Sequence, residues 1–533
     1  MMYARLLAMR SALGGTSTLA VGLAAASLLG AAANGCSFLI DFPEEGSGAG
    51  PLGGGPLGGG GGGEVCEDFA ANPTLEKTTW RSEMRAPDED DDIATTGLAR
   101  YGDQLYAFGR TKDGLADLFT GSSTDVRELY LVRIPDQGPA TLAMGATACN
   151  YSDGGLAGRI TALSDGSIVV SGMLGIDPVF PAPGTWSFAL GDTPVCSPGT
   201  SAPLLSPVEE FGGDPFFAKI EAANIFTNVP QVGSDGLGLD VDQRKKFITA
   251  IGVVKGQAFN ATFTNLDHRY FVQRSTEMSG DTTYVLEDHF HDYHQTARFG
   301  EAGVAVDEDG NGWFGGGSCD DAATCGDQGA FFGVLPPDEA PELIVERPGT
   351  PSAITVVRFA DDRLVFGGRY DGTLSMLGAT LPPASSTDAF VMVMARDNRE
   401  ILWTYPGTTA EPGYERIGFN VVTDLAVMGD RDCGAVYVLG CTVPGGGSAA
   451  ECVVPLGGKR GFIAKLDFTT GRELWVDDIA LENPNYDFFL PTAMTAQGNR
   501  LWLAATVNGQ VAVAGTQIEG AAPQETLVLE LSP

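Results

Sequence analysis

A short strand pattern that ends in a small residue recurs along this chain and limits the folds it can adopt. Consecutive copies end 52 to 80 residues apart, with a mean spacing of 66. Constant strands separated by loops of different length indicate structurally equivalent repeated units, and such repetition decides the fold. The copies end at Gly109, Gly172, Gly252, Gly316, Gly368, Gly440 and, in degenerate form, Ala505.

The copies near the C-terminus show what each unit contains. Residues 434–440 (GAVYVLG) are followed by 461–467 (GFIAKLD) and 470–475 (TGRELW), three strand-like runs bounded by turn residues. The same order recurs at 362–368, 388–394 and 398–403. With no long helical period present, these units predict an all-β fold, most simply a β-propeller of seven four-stranded blades.

The two ends of the folded part complement each other. The last unit stops after a third strand at residues 525–531 (ETLVLEL), whereas a matching fourth strand lies at residues 77–82 (KTTWRS). We therefore expect the N-terminal strand to complete the last blade and close the ring.

Several of these runs resemble a known repeat. Residues 214–220, 306–313, 388–391 and 461–467 look like the repeats of secreted bacterial seven-bladed β-propeller proteins, in which D-x-F-V-A-K-L-D and V-D-x-x-G-N-x-Y strands alternate. The resemblance extends loosely over residues 77–533 and best over 300–480. The resemblance implies a surface or periplasmic scaffold, and it identifies no catalytic residues in this chain.

A second resemblance concerns a different class of propeller. Residues 471–475 (GRELW) are similar to the repeat of quinone-dependent dehydrogenases. Those enzymes usually have eight blades and often two adjacent cysteines beside the cofactor. No two cysteines are adjacent in this sequence, which argues against that activity.

The N-terminus has the layout of an export signal. Arg5 and Arg10 precede a short apolar run at residues 18–33, and Ala33 and Gly35 stand just before Cys36. This resembles the lipobox of bacterial lipoproteins, which implies a signal peptide at residues 1–35 and lipidation of Cys36. Ser37 then favours the outer membrane; the alternative is ordinary signal cleavage that leaves Cys36 free.

The composition divides the remaining chain into a tether and a domain. Twelve of the 18 residues in 46–63 are glycine, so residues 36–72 are expected to be a flexible tether and residues 73–533 a single propeller domain. The net charge of −36 excludes nucleic acid as a partner. Residues 88–92 (DEDDD) are most simply a solvated acidic run, although weak calcium binding or repulsion of anionic polymers is an alternative.

Eight cysteines remain beyond Cys36, and an even number in an exported chain suggests disulfides. Local spacing predicts the pairs Cys319–Cys325 and Cys441–Cys452. No C-x-x-C pair is present, which argues against a zinc site built from cysteines.

A histidine-rich run, residues 287–294 (EDHFHDYH), is a candidate transition-metal site. Its ligands would be His289, His291 and His294, with Asp292 as a further ligand. The repeat places this run after a fourth strand, on the face where propellers usually bind ligands. The alternative is a polar loop in which the rings stack or cap turns.

Residues 307–312 (DEDGNG) are a second candidate cation site, with Asp307, Asp309 and Asn311 as calcium ligands. The twelfth position of this motif is Ser318, where a bidentate glutamate would be required. The competing interpretation is a turn between a first and a second strand, where Asp, Gly and Asn are favoured by their backbone angles.

These features predict a lipid-anchored propeller at the bacterial cell envelope that acts as a binding or interaction scaffold. Its partners would be the membrane, through the lipid, and an envelope protein or polysaccharide. Catalysis is not identifiable from the residues. The alternative function is a metal-binding or quinone-type redox enzyme that uses residues 287–294.

Overall fold

Antiparallel β-strands make up the elements of this protein. The computed structural model describes residues 71–82, 93–111, 129–148, 156–175, 186–191, 204–205, 213–221, 224–228, 234–244, 246–258, 261–262, 269–276, 279–290, 302–318, 329–407, 418–430, 432–444, 452 and 458–532. Across these ranges, no helix is long and apolar enough to cross a membrane.

The strands follow the chain in groups of four with short additions. The N-terminal strand β1 (Thr74–Ser82) precedes a sheet of β2 (Ile93–Tyr101), β3 (Gln104–Thr111), β4 (Leu129–Pro135) and β5 (Thr141–Ala148). Next come β6 (Leu156–Ala162), β7 (Ile168–Gly175), the inserted β8 (Trp186–Leu190) and β9 (Leu204–Leu205), then β10 (Gly213–Glu221) and β11 (Asn224–Asn228). The following sheet has β12 (Ser234–Arg244), β13 (Phe247–Ala258), β14 (Ala261–Thr262), β15 (Arg269–Thr276) and β16 (Ser279–Phe290).

The second half of the chain continues the same order. Its strands are β17 (Ala302–Val306), β18 (Gly312–Ser318), β19 (Gly329–Leu335) and β20 (Glu342–Ala360), followed by β21 (Arg363–Gly372), β22 (Ser375–Met376), β23 (Ala379–Thr380), β24 (Ala384–Ala395) and β25 (Ile401–Pro406). Then come β26 (Gly418–Gly429), β27 (Gly434–Pro444), β28 (Arg460–Asp467) and β29 (Glu473–Asp478), and finally β30 (Ala480–Leu481), β31 (Phe488–Gln497), β32 (Arg500–Val513) and β33 (Thr516–Ser532). Strand β20 serves two sheets, because it pairs with β19 through residues 342–351 and with β21 through residues 352–360.

The first strand of each group contacts the first strand of the next, and the last contacts the first. We call these the inner strands. This cyclic order around an axis is a β-propeller arrangement, which confirms the all-β propeller fold expected from the sequence. The count of seven blades stays a prediction. In order, the inner strands are β2, β6, β12, β17, the second half of β20, β26 and β31.

The predicted closure by the N-terminal strand is confirmed. Strand β1 pairs antiparallel with β33, with Lys77 opposite Glu530 and Ser82 opposite Thr526. The Thr526 amide donates to Ser82 Oγ at 2.9 Å, and Lys77 Nζ lies 3.4 Å from a Glu530 carboxylate oxygen. The two ends of the chain therefore complete one sheet.

The recurring small residue has a structural reason. Each repeat copy ends in a second strand, opposite an inner strand, as Gly368 of β21 is opposite Ile354 of β20. Directly after that pair the inner strand contains a β-bulge, and a Cβ built on Gly368 would collide with the Ala353 carbonyl. Such a bulge brings the two backbones close together, so glycine is favoured there. The bulge is present in β2, β6, β12, β20, β26 and β31.

Large apolar side chains fill the wedges between neighbouring sheets. Tyr270 and Phe331 meet edge to face at 4.8 Å between ring centroids, and Phe332 stacks on Phe366 at 5.0 Å. These buried contacts hold the sheets in fixed positions around the axis and so fix what the inner strands place there.

Candidate functional site

Charged side chains lie inside the ring of inner strands. Arg159 of β6, Asp240 of β12, Arg358 of β20 and Asp424 of β26 approach one another there, and we call them the axial cluster. The two aspartates and Arg159 are each less than 9% exposed. Buried charges persist only when they are paired and hydrogen-bonded, so the contacts of each one matter.

Asp424 is the most fully paired member of the axial cluster. Its Oδ1 accepts hydrogen bonds from the Leu425 amide at 2.8 Å and from Arg358 Nη2 at 2.5 Å. Its Oδ2 accepts from the Met494 amide at 2.8 Å and from Arg159 Nη1 at 3.2 Å. One carboxylate thus joins four strands of the ring.

Asp240 has the same backbone contacts but weaker ionic ones. Its two oxygens accept from the amides of Val241 and Val304, both at 2.9 Å, and Arg358 Nη1 is 3.8 Å away. Burial raises the pKa of Asp240 to about 6, against the opposing effect of Arg358 and Arg159. This carboxyl is therefore poised to exchange a proton near neutral pH.

The two arginines bind backbone as well as carboxylate. Arg159 Nη1 also donates to the carbonyls of Thr96 at 3.2 Å and Thr492 at 3.0 Å, which belong to two other inner strands. Arg358 Nε donates to the Leu425 carbonyl at 3.3 Å. Burial opposes its charge, but Asp424 and Asp240 raise the pKa of Arg358 above its usual value. Both guanidinium groups are thereby held in one orientation.

A cavity of about 290 Å³ opens beside the axial cluster, at the end of the inner strands that leads into the second strands. Asp240, Asp242 and Arg358 line it together with apolar residues such as Phe359. Four other inner strands have a small side chain at the position that Asp242 and Arg358 occupy in theirs, which leaves room for the cavity. These residues are Ala99, Ala162, Ala426 and Thr495.

Asp242 is fixed by two neighbouring strands. One of its oxygens accepts from the Val306 amide at 2.8 Å and the other from Thr161 Oγ1 at 3.3 Å. With Asp240 and Asp424 it brings three carboxylates to the axis, against the two guanidinium groups of Arg159 and Arg358. When all five are ionised, this group carries one net negative charge. Arg100 also lines the cavity, but it pairs with Asp136 at 2.8 Å, so the lining carboxylates Asp240 and Asp242 favour a cation.

The histidine-rich run lies partly within the described residues. Strand β16 extends through Phe290, so the first half of the run is strand rather than connection. His289 is buried, and its ring packs edge to face on Phe331 at 5.0 Å. His291, Asp292 and His294 lie outside the described residues, as does the acidic run 88–92. The metal site stays a prediction.

The candidate calcium loop forms the turn between β17 and β18. The Asp307 carboxylate accepts hydrogen bonds from the Asp309 and Asn311 amides, from Asn311 Nδ2 and from Trp313 Nε1, all at 2.9 Å. Asp309 contacts Arg396 Nη1 at 2.9 Å. These contacts are the ones expected if the loop is a turn between two strands. Calcium binding stays a prediction.

One predicted disulfide is confirmed. Cys441 and Cys452 are bonded, with their Cα atoms 6.0 Å apart. Cys433 is also disulfide-bonded. Cys36, Cys319 and Cys325 lie outside the described residues, so lipidation and the second predicted pair stay predictions.

The axial cluster was not predicted from the sequence. A signal was present, because Asp240 and Asp242 stand at alternate positions of β12 and Asp424 interrupts the largely apolar β26. Their arginine partners stand 66 to 265 residues away in sequence, beyond the reach of any local motif.

The fold and these contacts define the class of protein: a β-propeller with a buried charge cluster and a cavity on its axis. No protein-family model matches the chain, and no curated protein matches it. Similar solved structures are propeller glycosidases and lyases, all at low identity.

The Trypanosoma rangeli sialidase in complex with sialic acid is 10% identical over 69% of this chain and 52% of its own, with a TM-score of 0.34. The chain thus spans about half the length of that sialidase. The polysaccharide lyase Uly1 is 12% identical over 87% of this chain and 99% of its own, with a TM-score of 0.41. An ulvan lyase of polysaccharide lyase family PL25 is 11% identical over 78% and 91%, with a TM-score of 0.41. Similarity at this level carries no inference about activity.

Proposed function

We propose that this chain is an envelope lipoprotein whose seven-bladed propeller binds a small cationic ligand in its axial cavity. The observation that carries the proposal is the pair of carboxylates, Asp240 and Asp242, that lines a space of about 290 Å³. The two arginines of the lining already have closer partners, since Arg358 pairs with Asp424 and Arg100 pairs with Asp136. The cyclic order of the inner strands supports seven blades. An experimental structure with a different number of inner strands would refute that count.

The charged floor of the cavity is fixed before any ligand arrives. Each carboxylate of Asp240, Asp242 and Asp424 accepts a hydrogen bond from the backbone of the following inner strand. Groups held in this way lose little freedom on binding, which favours affinity. A pocket with fixed polar groups and apolar walls is typical of a small-molecule site.

The ligand class follows from the charges and the walls. An ammonium group provides hydrogen-bond donors and a positive charge for the lining carboxylates. Asp242 is the accessible acceptor, since it is only partly buried whereas Asp240 is 3% exposed. The rest of a short ligand would lie against apolar residues such as Leu98 and Phe359.

The test compares two probes of equal length, putrescine and the neutral 1,4-butanediol, by isothermal titration calorimetry. We expect putrescine to bind at one site and the diol to bind at least tenfold more weakly. Asp242→Asn should weaken putrescine binding about tenfold, because a charge-assisted hydrogen bond contributes about 1.5–3 kcal/mol.

Asp397→Asn is the matched control, since Asp397 is an exposed carboxylate on the turn before β25. It should leave putrescine binding unchanged. Equal affinity for both probes, or equal losses in the two variants, would reject the axial cavity as a cation site. Near-ultraviolet circular dichroism checks that each variant is folded.

The envelope location is a separate part of the proposal, supported by the sequence around Cys36. Labelled palmitate should be incorporated into the wild-type chain in a bacterial host and not into Cys36→Ser. Labelling of both forms, or of neither, would contradict lipidation at this residue.

A further inference from the structure

A second cavity, of about 400 Å³, lies away from the axis between the β2–β5 sheet and the sheet of β6, β7, β10 and β11. We call it the inter-sheet cavity. Its apolar walls come from both sheets, with Leu131 and Leu142 on one side and Ile168 and Ile220 on the other. Elsewhere large side chains fill such wedges, so an open space here is a local departure from the repeat.

An insertion builds one wall of this cavity. Strand β8 comes from the segment between β7 and β10, but it pairs with β5 of the neighbouring sheet, with Leu190 opposite Met144. The Gly191 amide then donates to the Ala143 carbonyl at 3.0 Å. Leu190, Gly191 and Ala143 all line the cavity. The insertion thus spans two sheets and encloses a space that the four-stranded pattern alone would leave open.

Two polar residues stand together at this cavity. Tyr106 of β3 is directly opposite Arg133 of β4, so their side chains share one face of the sheet about 5 Å apart at Cβ. Within the described ranges, neither side chain has a hydrogen bond or an ion pair with another residue. Burial raises the pKa of Tyr106, so its hydroxyl stays protonated and can donate.

The acidic residue at the same cavity, Glu221, has its own cationic partner. Lys219 Nζ lies 3.1 Å from a Glu221 carboxylate oxygen and 3.4 Å from an oxygen of Asp165. Arg133 is exposed, and no carboxylate of the described residues forms an ion pair with it. An anion is the complement of such a group, and an Arg guanidinium binds carboxylate or sulfonate oxygens with two parallel hydrogen bonds.

We propose that the inter-sheet cavity binds a small amphiphilic anion, whose apolar part lies between the two sheets and whose acidic group pairs with Arg133 and accepts from Tyr106. A volume of about 400 Å³ is within the range of small-molecule pockets. This site is independent of the axial cavity and has the opposite charge preference.

The experiment uses two fluorescent probes with the same ring systems, the anionic anilinonaphthalene sulfonate and the neutral phenylnaphthylamine. Titrations are made with the mature chain, with Arg133→Gln, and with Ala143→Leu, which narrows the cavity. Arg472→Gln is the matched control, because Arg472 is an exposed arginine on the turn between β28 and β29.

The sulfonate should bind at one saturable site, and Arg133→Gln should weaken it about tenfold while changing phenylnaphthylamine binding less than twofold. Ala143→Leu should weaken both probes at least tenfold, and Arg472→Gln should change neither. Unchanged sulfonate binding in Arg133→Gln would overturn the role of the charge. Unchanged binding of both probes in Ala143→Leu would place the probe elsewhere and overturn the site.

Discussion

Asp240 and Asp424 occupy the same position of two inner strands, yet their ionic environments differ. Each directly follows the β-bulge of its strand and binds the amide of the next residue. Each also binds an amide of the following inner strand, Val304 at 2.9 Å or Met494 at 2.8 Å. The backbone contacts are therefore a property of the repeat.

The arginines make the difference between the two positions. Asp424 contacts Arg159 at 3.2 Å and Arg358 at 2.5 Å, whereas the nearest guanidinium nitrogen to Asp240 in an ion pair is 3.8 Å away. Burial consequently dominates at Asp240 and raises its pKa to about 6. The repeat thus sets where a carboxylate points, and single substitutions on other strands set whether it is a structural ion pair or a titrating group.

The largest effect should come from removing the charge of Asp424. Asp424→Asn leaves two mostly buried guanidinium groups without their shared carboxylate, and breaking a buried pair in this way costs about 3–5 kcal/mol. Chemical denaturation should show a loss of that size in the free energy of unfolding.

Asp397→Asn is the control here too, because Asp397 is an exposed partner of Arg396 and should change stability by less than about 0.5 kcal/mol. If both substitutions lowered the free energy of unfolding by the same small amount, the axial cluster would not be a stabilising network. Asp424 and Asp240 would then differ in their distances to the arginines but not in their contribution to stability.

Asp240→Asn should have a smaller effect, and its sign should depend on pH. The folded pKa of Asp240, about 6, exceeds the usual 3.8, so protonation favours the folded state. The stability from this group is fully present below about pH 3.8 and is lost as the pH rises through 6. The free energy of unfolding of the variant, measured relative to wild type, should therefore rise by about 2 kcal/mol between about pH 4.5 and pH 7.5.

Denaturation curves at four pH values across this window would measure that gain. Asp424→Asn, recorded in parallel, distinguishes a general effect of axial charge from a titration of Asp240. A constant difference between Asp240→Asn and wild type over the window would contradict a raised pKa.

The sequence was sufficient for the fold because the fold depends on local patterns. Alternating strands, turn residues and the small residue opposite each bulge recur within every unit, and they predicted the propeller. The closure of β1 on β33 could also be predicted, since a unit lacking its fourth strand implies that the strand is supplied elsewhere. The Cys441–Cys452 pair followed from a spacing of 11 residues.

The axial cluster and the inter-sheet cavity could not be predicted in the same way. Arg159 contacts Asp424 across 265 residues of sequence. Because the insertions between units differ in length, the sequence alone does not show which positions of the inner strands are structurally equivalent. The wall of the inter-sheet cavity depends on β8 leaving its own unit to pair with β5. Nothing local in residues 186–190 indicates that choice of partner.

The smallest effect should come from the residue at the bulge itself, where β26 and β12 also differ. Thr423 Oγ1 donates to the Leu439 carbonyl at 3.2 Å, whereas Leu239 stands at this position of β12 and has no hydroxyl. Thr423→Val keeps the shape and removes the hydrogen bond, so unfolding should become easier by about 1 kcal/mol. Thr404→Val, on the outer strand β25, is the control and should change stability less. If Thr423→Val also left stability unchanged, the Thr423 hydroxyl would not stabilise the bulge, and β26 and β12 would differ only in the charge partners of Asp424 and Asp240.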